Sequence, residues 1–501
     1  MPLRLRYTRV AAWPPLAWLA RCTTAGREIE VLHGDGVEVA PDWFCEAAWT
    51  GDYEAAEFDK SDVVFGSGAR VRGDRAIFVS SSSTVDRLHT LDLSDATWVS
   101  NSLACLLAAA RAGVDPLYAR YFEDFRTIRD GLHRYRPALL TTRGAVRLTY
   151  HRNLEWDGRE LRSTSKPAPV RTLDSFWQYR TFLGRSLESL AANMSDRRRR
   201  RPFTFLGTIS TGYDSATAAV LGREVGLCEA ITVNRARGGA ADSGRELAAR
   251  LGLTTHVIER DGWRCGGGGD AFPEVPFIAS DAKGEEVYFK GAESRLAGRV
   301  LLTGFHGDGA WSRAPHRLNG DIARKDQSGL SLSEYRLWIG FLHCPVPFIG
   351  IRQAAAIHTI SRSPEMARWD WPAGNSRPIC RRILEEAGVP RHSFGLAKRA
   401  ASVLLFEEGF LTPGSLADYT TWLAERAGDA RGPARRPTDA LWSLCARLAA
   451  PLARVTPQRW PRVRAVMGRV VEVGRRERLF RYVFPWALAR AQRRYEPGLE
   501  R

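Results

Sequence analysis

The chain has 501 residues, 44% of them hydrophobic and 26% charged, with a net charge of +17. That balance places it among globular chains of two or three domains, and no run approaches the ~20 uninterrupted apolar residues that span a bilayer. Only six of the 73 basic residues are Lys (60, 166, 283, 290, 325, 398), so the field comes from Arg. It attracts nucleotides, acidic peptides, nucleic acid or anionic lipid, although a plain solvated surface explains it equally well.

The N-terminus, MPLRLRYTRVAAWPPLAWLARC, is basic and then apolar. Its apolar part is short, is broken by Pro14 and Pro15, and leads into strand-like alternation. A secretory signal is therefore not the expected reading. Cysteines at 22, 45, 105, 228, 265, 344, 380 and 445 include no CxxC pair. They read as reduced core residues of a cytoplasmic protein, not as a zinc site or a catalytic thiol.

Residues 1 to about 150 carry strand signals, clearest in FVSSSSTVDRLHTLDL (78–93) and AVRLTY (145–150). SLACLLAAARAG (102–113) reads as a short helix ended by glycine. The polar, proline-bearing segment 157–170 is an expected linker, and a helix is predicted over 173–194. Arg197 to Arg201 follow as five arginines in a row, read as a solvated loop more simply than as a nucleic-acid clamp. From 203 the pattern becomes α/β: FTFLGTIS, EAITVN, TTHVIE and VLLTGF are apolar strands separated by helical stretches. Such alternation predicts a parallel sheet whose ligands sit at the carboxyl ends of its strands. A mixed helical region is expected over 330–410. The stretch 426–439 reads as a loop, and the last sixty residues are basic with interleaved aromatic and apolar side chains. The expected division is a β-rich domain (1–160), an α/β domain (170–410) and a basic helical extension (411–501), with no internal repeat.

Chemistry concentrates in two turns at predicted strand ends. In Ser210-Thr211-Gly212-Tyr213-Asp214-Ser215, small residues between strand and helix present backbone N–H groups and a helix dipole suited to pyrophosphate. Ser210 and Ser215 offer hydroxyl donors, and Gly212 permits close approach. Asp214 would repel phosphate unless a cation lay between them, which implies Mg²⁺. The same spacing also fits an ordinary serine-rich turn capping a helix. The second turn is Leu302-Thr303-Gly304-Phe305-His306-Gly307-Asp308-Gly309. Asp214 and Asp308 make a reasonable magnesium pair, and His306 reads more simply as a hydrogen-bonded loop residue than as a catalyst.

The first turn resembles the S-G-G-x-D-S loop of the ATP pyrophosphatase superfamily, with Thr211 in place of a glycine. The second resembles the S-G-x-G-x-D-E turn of asparagine synthetases and β-lactam synthetases, with Gly309 in place of the glutamate and His306 in place of a glycine. Val346-Pro347-Phe348-Ile349-Gly350 resembles the V-P-F-L-D element of that family, with Gly350 in place of the acid, and 376–400 resembles its stretch ending in R-x-K. The motifs occur in the family's order up to about residue 405.

The resemblance implies a degenerate N-terminal-nucleophile glutaminase-like sandwich followed by an adenine-nucleotide α-hydrolase-like parallel sheet. It implies ATP and Mg²⁺ as cofactors, Asp214 and Asp308 as metal ligands, and Lys398 facing the phosphates and the forming tetrahedral centre, with all three acting in catalysis. The nucleotide-binding set it implies is Ile209, Ser210, Thr211, Gly212, Tyr213, Asp214, Ser215, Val233, Thr303 and Gly304. Met1 is followed by Pro2 and Leu3, so the family's N-terminal cysteine nucleophile is missing. The expected activity is therefore an AMP- and pyrophosphate-forming amide ligase that adenylates a carboxylate and lets an amine of a small molecule or peptide displace AMP, as in β-lactam or macrolactam synthesis. A precursor peptide or biosynthetic partner protein fits this reading, whereas neither nucleic acid nor a membrane is an expected partner of the core. Glu334 and Tyr335 are adjacent, so on one helix they diverge by ~100° and are not assigned as a general base. A catalytically inactive scaffold and a tRNA-modifying pyrophosphatase are the alternatives. The basic tail would pack as terminal helices, stay partly disordered, or dock an acidic peptide or membrane surface.

Overall fold

The computed structural model describes residues 3–24, 26–116, 118, 120–169, 171–265, 271–313, 321–371, 376–395, 400–405, 407–427 and 480–499, with scattered residues between 441 and 471. Two sheets form the N-terminal region. The first orders its strands as Arg4–Arg9, Glu28–His33, Trp18–Thr23, Ala96–Ser100, Leu88–Asp92, Gly144–Thr149 and Ala138–Thr141, antiparallel except for the first pair. The second runs Leu161–Ser165, Arg152–Trp156, Arg75–Val79, Val64–Arg72, Trp43–Trp49 and Glu38–Ala40, antiparallel throughout. Trp18, Ile29 and Val99 of the first share one apolar cluster with Phe44, Phe78 and Trp156 of the second, so the sheets face one another across a common core.

Two local expectations change here. The serine run of 78–93 is not strand: residues 80–87 form a buried connection between Arg75–Val79 and Leu88–Asp92. The expected linker contains Leu161–Ser165, which pairs along Arg152–Trp156 and extends the second sheet at its edge. Its Pro167 and Pro169 fall outside the paired segment, so proline does not oppose the ladder.

The helix Phe176–Met194 joins the two regions. Ser175 caps it by accepting from Gln178 N at 3.3 Å. Phe176, Tyr179, Leu183, Leu187, Leu190 and Met194 are buried along one face at three- and four-residue steps. The arginine run behind it is the expected loop, with Arg197, Arg198, Arg200 and Arg201 exposed; only Arg199 departs from that reading. Arg199 is buried, donates to Asn193 O at 2.7 Å and Ala47 O at 2.9 Å, and stacks over Tyr53. Arg198 reaches Asp52 and Glu54, and Arg200 reaches Asp35 O and Val37 O. Carbonyls of the N-terminal region thus draw in one charge, Arg199, that the sequence alone assigns to solvent, while its exposed neighbours make surface contacts.

The C-terminal sheet is parallel throughout, in the order Thr254–Ile258, Glu229–Val233, Thr204–Thr208, Arg299–Thr303, Leu342–Pro345. The last strand, LHCP, was not legible in the sequence because it is four residues long and fully buried, with no alternation. The chain builds outward from Thr204–Thr208 in one direction and then resumes on its other side at Arg299–Thr303. The order therefore reverses between these two strands, where an open α/β sheet opens a crevice.

Residues 480–499 close the structure instead of trailing from it. The helix Val483–Gln492 packs on Val275–Asp281 and buries Val483, Phe484, Trp486 and Leu488. Trp13 Nε1 donates to Tyr495 O at 2.9 Å, and Gln492 donates to Ala112 O at 2.9 Å, so this segment clasps the N-terminal region. No described helix is long and apolar enough to cross a membrane.

Candidate functional site

The strands Thr204–Thr208 and Arg299–Thr303 end level, with Gly207 opposite Leu302 and Thr208 Oγ1 donating to Leu302 O at 3.3 Å. Each then runs into one of the two turns, and a cavity of about 250 Å³ opens beyond them. Asp214 and Asp308 both line it, together with Ile209, Ser210, Gly212, Tyr213, Ser215, Val233 and Gly304. The turns touch through missing side chains. A Cβ on Gly304 would lie 2.3 Å from the Asp214 carbonyl carbon, and one on Gly307 would lie 2.3 Å from Asp214 Cγ. Only hydrogen at both positions lets the second turn rest directly on the first acid.

The first turn is braced internally. Ser215 Oγ accepts from Ser210 N at 3.1 Å and lies 2.8 Å from Ser210 Oγ, which accepts from Gly212 N at 3.2 Å. The two serines therefore order the loop as well as offering oxygens to the cavity. Tyr213 begins the helix Tyr213–Arg223, whose positive end faces this turn. Thr211 does not crowd the cavity. Its hydroxyl donates to Asp242 Oδ1 at 2.8 Å, and its carbonyl accepts from Gly395 N at 2.8 Å. Thr303 is likewise absent from the lining; its hydroxyl meets His343 Nε2 at 2.9 Å beneath the turn.

Asp214 is half-buried at the cavity wall, its side chain 21% exposed. Burial pushes its carboxyl up to about 6, opposed by the guanidinium of Arg377 and reinforced by Asp308 and Asp326. Oδ2 pairs with Arg377 Nη1, while Oδ1 is buried without a hydrogen-bond partner among the described residues. A buried carboxylate oxygen that lacks a donor, beside a second carboxylate, is what an oxygen-seeking cation satisfies. Magnesium keeps several waters or phosphate oxygens of its own, so two carboxylates suffice. Asp214 and Asp308 thus fit the ion, although no group of three or more His, Cys, Asp or Glu placed to hold a metal occurs among the described residues.

The departures from the resembled motifs have local causes. His306 adopts φ 71°, is buried, and stacks on Phe348 with centroids 4.8 Å apart. A Cβ at Gly309 would meet its ring at 2.4 Å, so the imidazole fills the space a side chain there would need. Gly350 has φ 81° and lies under Phe182, which excludes an acid in the same backbone.

Several wall residues were not read from the sequence: Asp242, Glu286, Tyr288, Phe289, Asp326 and Arg377. Burial first, then Asp281 and Glu285, push Glu286 up to about 8. Its carboxylate accepts from Gly329 N at 2.9 Å and Ser331 N at 3.3 Å. Glu334 and Tyr335 stand away from the cavity. Ser102, Trp338 and Tyr495 donate to Glu334, whereas Tyr335 donates to Glu293. Lys398 lies outside the described residues, although Gly395 and Ala400 on either side of it line the cavity. No protein-family model matches the chain, and no curated protein matches it.

Proposed function

We propose that the chain is an ATP-dependent, AMP- and pyrophosphate-forming C–N ligase that activates a carboxylate and passes it to an amine. One observation carries this reading: Asp214 and Asp308, at the ends of the two strands where the sheet order reverses, converge on one cavity beside a serine-braced helix N-terminus. The triphosphate lies along the 210–215 turn, where main-chain N–H groups and the helix dipole offset its charge. Ile231 and Val233 supply an apolar wall for the base, and Tyr288, Phe289 and Phe305 supply one for the acyl group. A magnesium ion on Asp214 and Asp308 would neutralise phosphate charge. The ion would take the unpartnered Oδ1 of Asp214, and Arg377, paired with Oδ2 and also lining the cavity, is a cation within reach of pyrophosphate. Burial of Asp214 among carboxylates keeps water from competing for the ion. In this reading the two-sheet region, packed against the α/β domain, serves as its platform. ATP and a carboxylate substrate remain small-molecule or peptide partners in this scheme, with the amine on the same or a second molecule.

A non-catalytic nucleotide-binding scaffold is the second reading, favoured by the Arg377 pair that already occupies Asp214. Pyrophosphate exchange into ATP, driven by a panel of amino acids, β-amino acids and short peptides, separates the two. Exchange with at least one acid is expected. Tight ATP binding without exchange or AMP release across the panel would select the scaffold, and no ATP binding at all would remove both.

A further inference from the structure

The walls of the cavity carry five carboxylates, of Asp214, Asp242, Glu286, Asp308 and Asp326, against one guanidinium, that of Arg377. Four of the five already have an occupation. Asp214 pairs with Arg377, and with Asp308 it fits the magnesium ion. Asp242 accepts from the Thr211 hydroxyl at 2.8 Å. Asp326 accepts from Ser328 N at 3.1 Å and lies 3.9 Å from Arg324 Nη2. Glu286 is the exception. Its carboxylate accepts from Gly329 N, Ser331 N and the Ser331 hydroxyl, and all three donors are neutral.

The charges packed around Glu286 do not balance it. Asp281 ends the helix Val275–Asp281, and Glu285, already paired with Lys283 at 2.6 Å, precedes it in the chain. Arg324 reaches it only through its field, because Nη1 donates to Thr84 O and Nη2 to Ser328 O. A carboxyl 2% exposed on a cavity wall, bonded only to neutral donors, is a group whose counterion arrives from outside. Its position at about 8 has the same cause: the group stays neutral until a cation restores its charge. The rings beside it fit such a cation. Tyr288 and Phe289 stack with centroids 4.7 Å apart. Gly329 ties Phe305 to the carboxylate, since its N–H donates to Glu286 at 2.9 Å and a Cβ on it would lie 3.0 Å from Phe305 Cδ2. An acid flanked by aromatic faces holds an organic cation by charge and by ring quadrupole together. The proposed reaction consumes an amine, and in neutral water an amine is an ammonium.

We propose that Glu286, with Tyr288, Phe289 and Phe305 around it, is the binding site for the primary ammonium of the amine reactant. The role given to that ammonium rests on the ligase reading; its binding does not. The site thereby selects a cationic acceptor over a neutral or an acidic one, whether the amine belongs to an amino acid or to a peptide.

The test is calorimetric titration of the full chain with 2-phenylethylammonium and with 2-phenylethanol, which keeps the ring and replaces the charge by a hydroxyl. The ammonium should bind at least about tenfold more tightly. Below pH 8 it must displace a proton from Glu286, so its affinity should fall about tenfold between pH 7 and 6, whereas the alcohol's should hold. Glu286→Gln should abolish both the preference and the pH dependence. Phe305→Leu leaves the carboxyl in place and should narrow the preference about threefold. If the glutamine variant does not fold, the wild-type comparison and Phe305→Leu carry the test. Equal affinity for the two probes, or no binding of the ammonium, would overturn the proposal. So would a folded Glu286→Gln protein that keeps the tenfold preference. ATP titrated in parallel separates this site from the reading it serves. ATP binding without the ammonium preference removes the ammonium site alone; the preference without ATP binding leaves that site standing and removes the ligase alone.

Discussion

Two carboxylates, one in each half of the molecule, have opposite surroundings. Glu46 in the two-sheet region accepts from Ser67 Oγ at 2.6 Å, Asn101 Nδ2 at 3.2 Å and Arg336 at 2.6 and 3.1 Å. Asp214 at the parallel sheet pairs with Arg377 through one oxygen and leaves the other without a partner among the described residues. Both face an arginine, and burial raises both above the ordinary carboxylate range. The difference lies in what each borders. Glu46 is enclosed by donors from both halves and fixes how they meet. Asp214 borders a cavity and a second acid. A satisfied buried pair acts on stability; an unsatisfied one beside a cavity acts on binding.

Asp214→Asn breaks this contrast most sharply. We expect pyrophosphate exchange to fall by about a thousandfold, ~4 kcal/mol of transition-state stabilisation, with the fold intact. Stability should move the other way. Because the folded carboxyl is raised from 3.8 to about 6, the native state binds a proton that the unfolded chain releases. Wild-type stability therefore declines as pH rises through that window, by about 3 kcal/mol at most. The variant should lack this decline in unfolding curves taken from pH 4 to 8. An exchange rate equal to wild type would remove the metal role from Asp214.

Glu46→Gln is the counterpart in the other half. Arg336 keeps Asp86 at 2.9 Å but loses its main charge partner, and removing one member of a buried pair costs about 3 kcal/mol. A lower melting temperature with unchanged ATP affinity is expected. A selective loss of ATP binding would show that the N-terminal half shapes the site directly.

Legibility follows the same division. The parallel sheet and its two acid-bearing turns were readable because each is local: a short apolar run, small residues, then a helix. Asp326, Glu286 and Arg377 were not, since they reach the cavity from loops and a distant helix start with no periodicity to mark them. Arg377 sits beside Pro378, a helix-start signal that explains its position but not its direction. Within the exposed Arg197–Arg201 loop the burial of Arg199 was not legible, because a charge run looks uniformly solvated unless the acceptors facing it are known. The clasp by residues 480–499 was hidden for the same reason: Tyr495 and Trp13 are far apart in the chain.

Gly304→Ala sharpens the comparison within the site. The new methyl would lie 2.3 Å from the Asp214 carbonyl carbon and 2.4 Å from Ser215 N, both backbone atoms that cannot turn aside. The two turns must separate, at a cost of about 2 kcal/mol. Exchange should fall more than the melting temperature suggests, because the separation moves Asp308 away from Asp214. Proportionate losses in both would mean the turns do not act as one unit.

The smallest effect expected is at Thr211. Its side chain leaves the cavity to bond Asp242 at 2.8 Å, so Thr211→Ala deletes one hydrogen bond, to a charged acceptor, worth about 1.5–3 kcal/mol. Asp242 itself lines the cavity, and without that donor it turns a less restrained negative charge towards the phosphates. KM for ATP should therefore rise about threefold to tenfold while kcat holds, because the bond is present before and during the reaction. Thr211→Ser restores the donor and should restore KM. If serine fails where threonine succeeds, the methyl group matters instead, and the turn is held by packing and not by the hydroxyl.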